Sequence, residues 1–414
     1  MSDIKRNLMP EVIKLLNSFP VVAILGARQS GKTTLAKMVT NNSWSYFDLE
    51  KGDDYDFITK DFSFFFKEYS RHVIIDEAQE SQQLFRELRS TIDADRKKKG
   101  RFIITGSSSP ELSSKLSETL AGRVAILELG TLKMNERFSL PLSNFYKILK
   151  NKPPEKQLSA LMNLKSKLKY DDVIEHFLTG GYPEPVLSSD KEFYLQWMDN
   201  YMRTYVQRDI AKLFPGLNNV DFRRFISILA ELSGSIINRA EVARTLSVSE
   251  ATIRKYLEIA EGTFVWRNLL SFQKSSSKSV TKMSKGYIRD SGLTNYLLKI
   301  NDRERLLRHP GTGFAFEAFV IEEIINGFNG IGASQLDYNY FRTKNGAEVD
   351  LIIDSPSSII PIEIKLGISI KRNQLYSLTQ FINNNNCPYG ILINNGNEIK
   401  KLTEKIIQIP AKYI

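Results

Sequence analysis

Cysteine is nearly absent from this sequence of 414 residues. Because Cys387 is the single thiol, no disulfide can form within the chain, and neither a cysteine zinc cluster nor a redox pair of thiols can be assembled. Histidine is also scarce, and the spacing of His72, His176 and His309 is not that of a metal site. This composition favours a reducing compartment such as the cytosol.

Long apolar runs are missing as well. None reaches the ~18 residues that a membrane-spanning helix requires, and the first residues, MSDIKRNLMPEVIKLLNSF, have the pattern of a charged amphipathic helix. We therefore expect a cytoplasmic protein, without export and without a membrane as a partner.

The sequence is long, and it has an excess of positive charge. Lysine and arginine total 57 against 47 aspartate and glutamate residues, which gives a formal net charge of +10. A basic excess of this size favours nucleic acid as a partner without proving it. A chain of 414 residues exceeds one ordinary core and predicts about two to four domains.

Apolar strand-like runs alternate with helical patterns in the first third of the chain. Examples are VVAILG from Val21, HVIIDE from His72 and RFIITG from Arg101. This alternation predicts a parallel sheet between layers of helices. After Asn135 the pattern becomes mostly helical, and from Gly311 a helix precedes several strands, which indicates a second α/β unit.

A glycine-rich loop follows the first strand-like run. Its sequence GARQSGKT fits GxxxxGK[ST], and it stands between an apolar strand and a helical pattern, as a P-loop does. The backbone N–H groups of such a loop face phosphate, its lysine contacts the β- and γ-phosphates, and its threonine hydroxyl binds Mg²⁺. The residues predicted to bind ATP and Mg²⁺ are Gly26, Ala27, Arg28, Gln29, Ser30, Gly31, Lys32, Thr33 and Thr34.

Two acidic residues end the run HVIIDE. Asp76 is placed to hold or orient Mg²⁺ together with Thr33, and Glu77 is placed to polarise the attacking water as a general base. The alternative for this doublet is helix capping after a strand.

Two further positions are candidates for the same site. Ser107 or Ser108, at the end of the RFIITG run, is placed to sense the γ-phosphate or to cap a helix. Arg123 is placed to complete a neighbouring subunit's site as an arginine finger or to form an ordinary surface salt bridge.

These motifs and their order resemble one family. GARQSGKTTL, VIIDEAQE, FIITGSSSPEL and LAGR, followed by FLTGGYPEPV, YVQRDI, KGYIRDSGL, EVDLII and IPIEIK, are similar to the AAA-type prokaryotic ATPases that carry a characteristic C-terminal domain of unknown function. The family's loop often has proline where this chain has Ala27, a change that leaves the phosphate-contacting residues in place. The resemblance covers nearly the whole chain but supplies no physiological role.

The segment INRAEVARTLSVSEATIRKYLEI has helix-turn-helix spacing. Ser249 is a suitable N-cap for its second helix, which would enter the major groove of DNA, and the apolar runs that follow could pair as a wing. A structural lid or a protein-contact module is the alternative. Candidate DNA contacts are Thr252, Arg254 and Lys255 on the helix, and Lys274, Lys278, Lys282 and Lys285 near the wing tip.

The last hundred residues carry a polar pattern among apolar strands. Glu317 on a helix, Asp350 after a strand, and Glu363 with Lys365 on a later strand match the order of a PD-(D/E)xK nuclease core. Asp350 and Glu363 would hold Mg²⁺, and Lys365 shares the strand face of Glu363 and would stabilise developing charge. The resemblance supports this nuclease-like fold, whereas cleavage, simple binding and a buried ion pair of Lys365 all stay open.

Together these patterns predict an α/β multidomain protein. We expect an AAA-type P-loop ATPase domain over residues 1–135, a helical connector or lid over 136–215, a winged helix over 216–300 and a restriction-endonuclease-like α/β domain over 301–414. The expected function is an ATP-binding and hydrolysing, DNA-associated ATPase, which is a homo-oligomer if Arg123 acts between subunits. The alternative is a signalling or defence ATPase whose C-terminal domains bind protein partners.

Overall fold

The structure is a computed structural model that describes residues 4–107, 116, 118–188, 190–211, 214, 216–273, 284–343, 346–369 and 372–414. Contacts within the chain divide it into two compact units. The first unit comprises Met1–Leu132, Glu258–Val265 and Asn329–Gly332, and the second comprises Lys133–Leu257, Trp266–Phe328 and Ala333–Ile414.

The strands of the described residues form two sheets. They are β1 (Val21–Gly26), β2 (Ser45–Asp48), β3 (Val73–Asp76), β4 (Phe102–Ser107), β5 (Val124–Glu128), β6 (Ser235–Ile236), β7 (Trp266–Ser271), β8 (Lys285–Ile288), β9 (Asp337–Arg342), β10 (Glu348–Ser355), β11 (Ser358–Lys365), β12 (Gly390–Asn394), β13 (Lys400–Thr403) and β14 (Ile406–Pro410).

Helices connect and flank these strands. The α-helices are α1 (Met9–Leu16), α2 (Lys32–Met38), α3 (Gly52–Lys60), α4 (Phe62–Glu68), α5 (Gln82–Ala94), α6 (Met134–Arg137), α7 (Asn144–Asn151), α8 (Pro154–Leu161), α9 (Tyr170–Thr179), α10 (Pro183–Leu187), α11 (Lys191–Thr204), α12 (Asn219–Glu231), α13 (Arg239–Leu246), α14 (Glu250–Gly262), α15 (Ser291–Leu297), α16 (Arg303–Arg308), α17 (Thr312–Gly330) and α18 (Tyr376–Asn384). Among the helices described, none is both long and apolar enough to cross a bilayer.

The first unit is built on a parallel five-stranded sheet with the order β2-β3-β4-β1-β5. Every residue of β1 is buried because apolar side chains cover both faces of the sheet. Val21, Ala23 and Leu25 belong to one core, and the alternate residues Val22 and Ile24 belong to another. The mixed α/β fold with a parallel sheet and many helices, as the sequence predicts, is confirmed.

The second unit contains a mixed nine-stranded sheet with the order β13-β14-β12-β11-β10-β9-β7-β8-β6. β7 pairs with β9 in parallel, so that Leu270 lies opposite Asn339 and Ser271 lies opposite Tyr340. The strands expected for the wing and the strands expected for the C-terminal domain therefore belong to one sheet. The division of the chain into four domains stays a prediction.

Candidate functional site

The first unit places the predicted phosphate-binding loop at the carboxyl end of β1. Gly26 closes this strand, and a Cβ atom on it would lie 2.2 Å from the carbonyl oxygen of Leu129, so that only glycine fits there. Gly31 has a left-handed backbone with φ of 92°, and Gln29 is left-handed as well, with φ of 60°. These two residues turn the loop into α2, which begins at Lys32.

Lys32 reaches back across this loop. Its side chain is buried, and Nζ donates a hydrogen bond of 2.9 Å to the carbonyl oxygen of Ala27. The ammonium therefore lies inside the loop, where phosphate would be bound. Of the other predicted loop residues, Thr34 is exposed, and the guanidinium of Arg28 lies 4.0 Å from the carboxylate of Glu50.

Arg6 fixes the backbone of the loop from outside. Its side chain is buried, and Nη1 donates to the carbonyl oxygen of Ser30 at 2.7 Å. Nη2 donates to the carbonyl oxygens of Gly130 at 2.8 Å and Thr131 at 3.2 Å. The loop is thus tied to the segment after β5. Sequence reasoning missed Arg6, since nothing in its local pattern indicates partners so distant along the chain.

Asp76, the last residue of β3, is buried and accepts hydrogen bonds from three hydroxyl groups. Thr33 donates to Oδ2 at 2.7 Å, and Tyr46 donates to the same oxygen at 2.8 Å. Thr105 donates to Oδ1. Burial and the Asp76 carboxylate both raise the pKa of Tyr46, so that its hydroxyl remains a donor at neutral pH.

Strand order explains why these hydroxyls converge. β2 and β4 flank β3, and Tyr46 and Thr105 lie on the face of the sheet that carries the Asp76 side chain. Sequence reasoning missed both residues, although each lies two positions before the end of its strand. The signal that could have found them is a hydroxyl near the carboxyl end of each strand beside the Asp76 strand.

Glu77 follows Asp76 in a tight turn. It has a left-handed backbone with φ of 51° and ψ of 47°, which is uncommon for a residue with a side chain. Its N–H donates to Asp76 Oδ1 at 3.2 Å, and its carboxylate accepts a hydrogen bond of 2.5 Å from Gln79. The Glu77 carboxylate is therefore held beside Gln79.

Ser107 and Arg123, the two further candidates for this site, differ in their surroundings. Ser107 ends β4, where its backbone lies opposite Gly26 in the parallel register, while Ser108 lies outside the described residues. Arg123 forms a bidentate ion pair with Asp93, from Nε to Oδ1 at 2.7 Å and from Nη2 to Oδ2 at 2.9 Å. Within this chain Arg123 therefore has an acidic partner, and its role as an arginine finger stays a prediction.

The expected helix-turn-helix falls on α13 and α14. Ser249 Oγ accepts the N–H of Thr252 at 3.1 Å, as an N-cap does, and also contacts the hydroxyl of Thr252 at 2.9 Å. Arg254 and Lys255 are exposed on α14. The candidate contacts that lie outside the described residues are Lys274, Lys278 and Lys282.

The second unit brings the residues predicted for the nuclease core together. Glu317 on α17, Asp350 on β10 and Glu363 on β11 are all buried. Lys365 Nζ lies 2.6 Å from Glu363 Oε1 and 3.6 Å from Asp350 Oδ2. Asp350 Oδ2 also accepts the N–H of Ile364 at 2.8 Å. Predicted site residues from one helix and two strands therefore form one cluster.

Lys285 enters the same cluster from β8. The sequence places it at an exposed wing tip, but this expectation is wrong, because its side chain is only 3% exposed. Its Nζ lies 3.1 Å from Glu317 Oε2, 2.8 Å from Glu348 Oε1 and 3.8 Å from Asp350 Oδ1. Strand pairing places Lys285 beside the carboxylates, and the local sequence does not reveal this pairing.

Two carboxyl groups of this cluster, those of Glu317 and Glu363, have raised pKa values. Burial, with the Asp350 carboxylate next in effect, raises the pKa of Glu317 to about 7 and that of Glu363 to about 8. Among the described residues, no three His, Cys, Asp or Glu side chains are grouped so that they could hold a metal ion. The Mg²⁺ expected at Asp350 and Glu363 does not fit this arrangement, in which ammonium groups already contact the carboxylates.

Three family models match the chain. Residues 18–138 match one described as an AAA domain, and residues 170–304 and 312–414 match two described as domains of unknown function, DUF8612 and DUF4143.

Whole-chain relatives and solved structures are also similar. An uncharacterized protein of Mycobacterium tuberculosis, Rv2008c, is 30% identical over 416 residues, which cover 99% of this chain and 84% of that protein. An uncharacterized protein of Haemophilus influenzae is 22% identical over 391 residues, or 88% of this chain and 87% of that one. A RuvB structure from Thermotoga maritima, 19% identical, covers 62% of this chain and 86% of its own, with a TM-score of 0.29.

Proposed function

The chain belongs to the same family as the mycobacterial protein with which it is 30% identical, and on that premise we propose that it is an ATP-binding and ATP-hydrolysing, DNA-associated ATPase with a nuclease-like C-terminal domain. The observation that carries the ATPase proposal is the hydrogen bond of 2.7 Å between Thr33 Oγ1 and Asp76 Oδ2. It joins the threonine of the loop to the acidic residue of a neighbouring strand, which is the pairing that P-loop nucleotide hydrolases use around their metal.

Phosphate binding would fall to the loop itself. N–H groups of this loop would donate to phosphate oxygens, and the left-handed Gly31 gives the loop the curvature that would bring them together. Lys32 would exchange the carbonyl oxygen of Ala27 for the β- and γ-phosphates. A negatively charged acceptor is the better partner for a buried ammonium, so a phosphate of bound ATP would replace the Ala27 carbonyl oxygen as the acceptor of Lys32.

Thr33 and Asp76 fit Mg²⁺, since a hydroxyl and a carboxylate oxygen already meet there and Mg²⁺ is bound by oxygen ligands. When bound, the ion would neutralise charge on the phosphate oxygens. Glu77 would accept the proton of the attacking water, Ser107 would contact the γ-phosphate, and Arg123 would complete the site of a neighbouring subunit.

Two substitutions separate binding from hydrolysis. Lys32→Ala should weaken ATP binding by about 3 kcal/mol, roughly 100-fold, because it removes the cation aimed at two phosphates. Glu77→Gln should keep the affinity for ATP and lower kcat roughly 100- to 10,000-fold, because an amide cannot accept the proton. Calorimetry measures the first effect, and phosphate release measures the second.

Lys60→Ala is the matched control for Lys32→Ala, because Lys60 is an exposed lysine at the end of α3. It should leave both binding and turnover unchanged. Wild-type affinity in Lys32→Ala would remove the loop from the nucleotide site, and wild-type turnover in Glu77→Gln would remove Glu77 from proton transfer.

A further inference from the structure

Lys285 is a cation that the chain itself places among the carboxylates of the C-terminal cluster. It lies on β8, opposite Leu269 of β7 and Ile236 of β6, and both pairings hold its backbone in the sheet. Its ammonium is within 3.1 Å of Glu317 and 2.8 Å of Glu348. Strand pairing therefore fixes the backbone of Lys285, and ion pairs fix its Nζ.

The two lysines of the cluster differ in position. Lys365 lies at its edge, 29% exposed, and pairs mainly with Glu363, while Lys285 is 3% exposed and lies between carboxylates of α17 and β10. The oxygens of Glu317, Glu348 and Asp350 converge on this ammonium at 2.8–3.8 Å, and they would have to move inward to hold Mg²⁺, whose oxygen ligands lie at about 2.0–2.1 Å. The ammonium of Lys285 occupies that point of convergence, and it compensates the charges that a metal would compensate.

A metal and this ammonium exclude each other. A divalent ion at Glu317 and Asp350 would be only a few ångströms from Nζ, where two like charges in a buried setting repel each other. The other oxygen of Asp350 is already engaged by the N–H of Ile364. Oε2 of Glu363 is buried without a hydrogen-bond partner among the described residues, so the cluster keeps acceptor capacity that Lys285 does not use.

We propose that Lys285 takes the place of the divalent metal in this domain, so that the nuclease-like site is held as a buried ion-pair network and binds no catalytic metal in this state. The proposal rests on the nuclease-like part of the proposed function and does not depend on ATP binding or hydrolysis. In this proposal the ammonium group that β8 contributes fills the site. Removing this one ammonium group should therefore create a metal site where the wild type has none.

The test titrates the full chain with Mn²⁺ in the absence of nucleotide, with calorimetry and electron paramagnetic resonance as readouts. Lys285→Met should gain one Mn²⁺ site at least about tenfold tighter than any site in the wild type. The gain should vanish in Lys285→Met/Asp350→Asn, which removes a carboxylate of the cluster. Arg342→Met is the matched control, since it removes an exposed cation 3.8 Å from Glu348 and leaves Lys285 in place, and it should gain no site.

Three results would overturn the proposal. One is a wild type that binds Mn²⁺ in a manner abolished by Asp350→Asn, and this measurement needs no variant at Lys285. Another is a soluble, folded Lys285→Met protein that gains no Mn²⁺ site. The third is a gain in Arg342→Met equal to that in Lys285→Met. If Lys285→Met is insoluble, Lys285→Met/Glu348→Gln removes one charge of each sign and should show the same gain of Mn²⁺.

Discussion

At the scale of single residues, Asp76 is held by more hydroxyl groups than a P-loop requires. Thr33 belongs to the loop motif, whereas Tyr46 and Thr105 come from the strands on either side of β3. A buried carboxylate that accepts several hydrogen bonds keeps a single orientation. Tyr46 and Thr105 are therefore positioning residues for the carboxylate that would hold Mg²⁺.

Tyr46→Phe tests this positioning role. Loss of one hydrogen bond to a charged group, worth roughly 1.5 kcal/mol, should raise the Mg²⁺ concentration for half-maximal ATPase activity about tenfold. The maximal rate at saturating Mg²⁺ should change little, because the ring remains in place. Mn²⁺ affinity in the presence of a non-hydrolysable ATP analogue should fall by the same factor.

Tyr69→Phe is the control for the loss of a hydroxyl, because its ring packs on Phe47 and Phe65 of the same unit. It should leave the dependence on Mg²⁺ as it is in the wild type. An unchanged Mg²⁺ dependence in Tyr46→Phe would make the Tyr46 hydroxyl a purely structural group.

How far single residues could be predicted depends on where their partners lie. Thr33 and Asp76 were predicted from a loop motif and a strand that ends in an acid, and the structure brings them to 2.7 Å. Tyr46, Thr105 and Arg6 could not be predicted, because their contacts depend on which strands are neighbours. Local pattern indicates that a strand exists, but long-range packing decides what lies beside it.

At the scale of elements, a buried ion pair connects the N-cap residue of α6 with α17. Lys133, 1% exposed, donates from Nζ to Glu323 Oε2 at 2.7 Å, and Tyr146 donates to the Glu323 carbonyl oxygen at 3.0 Å. His176 Nε2 on α9 lies 3.4 Å from the other carboxylate oxygen. Burial opposes ionisation of Glu323, but the Lys133 ammonium and the hydrogen bond with His176 together lower the pKa of Glu323.

Breaking this pair from one side should be costly. Lys133→Met leaves the Glu323 carboxylate buried without its cation and should lower the free energy of unfolding of the second unit by about 3–5 kcal/mol. Lys133→Met/Glu323→Leu should recover most of that loss, since no charge is then stranded. Denaturant unfolding followed by circular dichroism measures both.

The exposed pair of Arg303 and Asp171 provides the control, and Arg303→Met should cost less than about 1 kcal/mol.

The stabilisation by the pair of Lys133 and Glu323 should depend on pH, with a defined sign. Because the folded-state pKa of Glu323 is lowered, the pair stabilises fully at neutral pH and is lost as the pH falls below the ordinary range of a glutamate. Equal losses in the single and double variants would contradict a stabilising ion pair.

The sequence pattern predicts β7 and β9 as strands, but it does not predict that they pair with each other. Both strands were expected, one as part of a wing and one as part of a C-terminal α/β unit. Their parallel pairing, with Leu270 opposite Asn339, joins segments about 70 residues apart. Alternation of apolar residues sets which face of a strand is buried, but the choice of partner depends on which sheet edge is open.

At the scale of the whole molecule, the proposed DNA association rests on charge. The formal net charge is +10, and Arg254 and Lys255 are exposed at the helix expected to enter a groove. Arg254→Ala/Lys255→Ala should weaken DNA binding and make the plot of log K against log salt less steep by roughly one unit per lost phosphate contact. Electrophoretic titration at several salt concentrations, with and without ATP, measures this.

Lys60→Ala is again the control, since it removes an exposed positive charge from α3. It should leave the salt dependence of binding unchanged. ATPase activity that is indifferent to DNA, together with no salt-dependent binding, would favour a signalling or defence ATPase that acts on protein partners.

Assembly is tested through Arg123. If this residue completes a neighbouring subunit's site, it must exchange Asp93 for phosphate, and turnover per chain should rise with protein concentration. Mixing Arg123→Ala protein with Glu77→Gln protein should restore part of the hydrolysis, because hybrid interfaces regain one intact site. Phosphate release at fixed total protein measures the recovery.

Asp93→Ala serves as the matched control, since it frees Arg123 without removing it and should support hydrolysis in the same mixtures. Turnover that is independent of concentration, with no recovery on mixing, would leave Arg123 as a structural partner of Asp93.

The central place of β1 in its sheet has a consequence for synthesis of the chain. β1 is translated first, but both of its neighbours, β4 and β5, come later, and β5 ends at Glu128. At the usual ~5–20 residues per second, the ribosome takes roughly 5–20 s to supply the last neighbour. Until β4 is made VVAILG is an apolar strand with neither neighbour, and until β5 is made it lacks one of the two, which makes it the natural contact for a ribosome-associated chaperone.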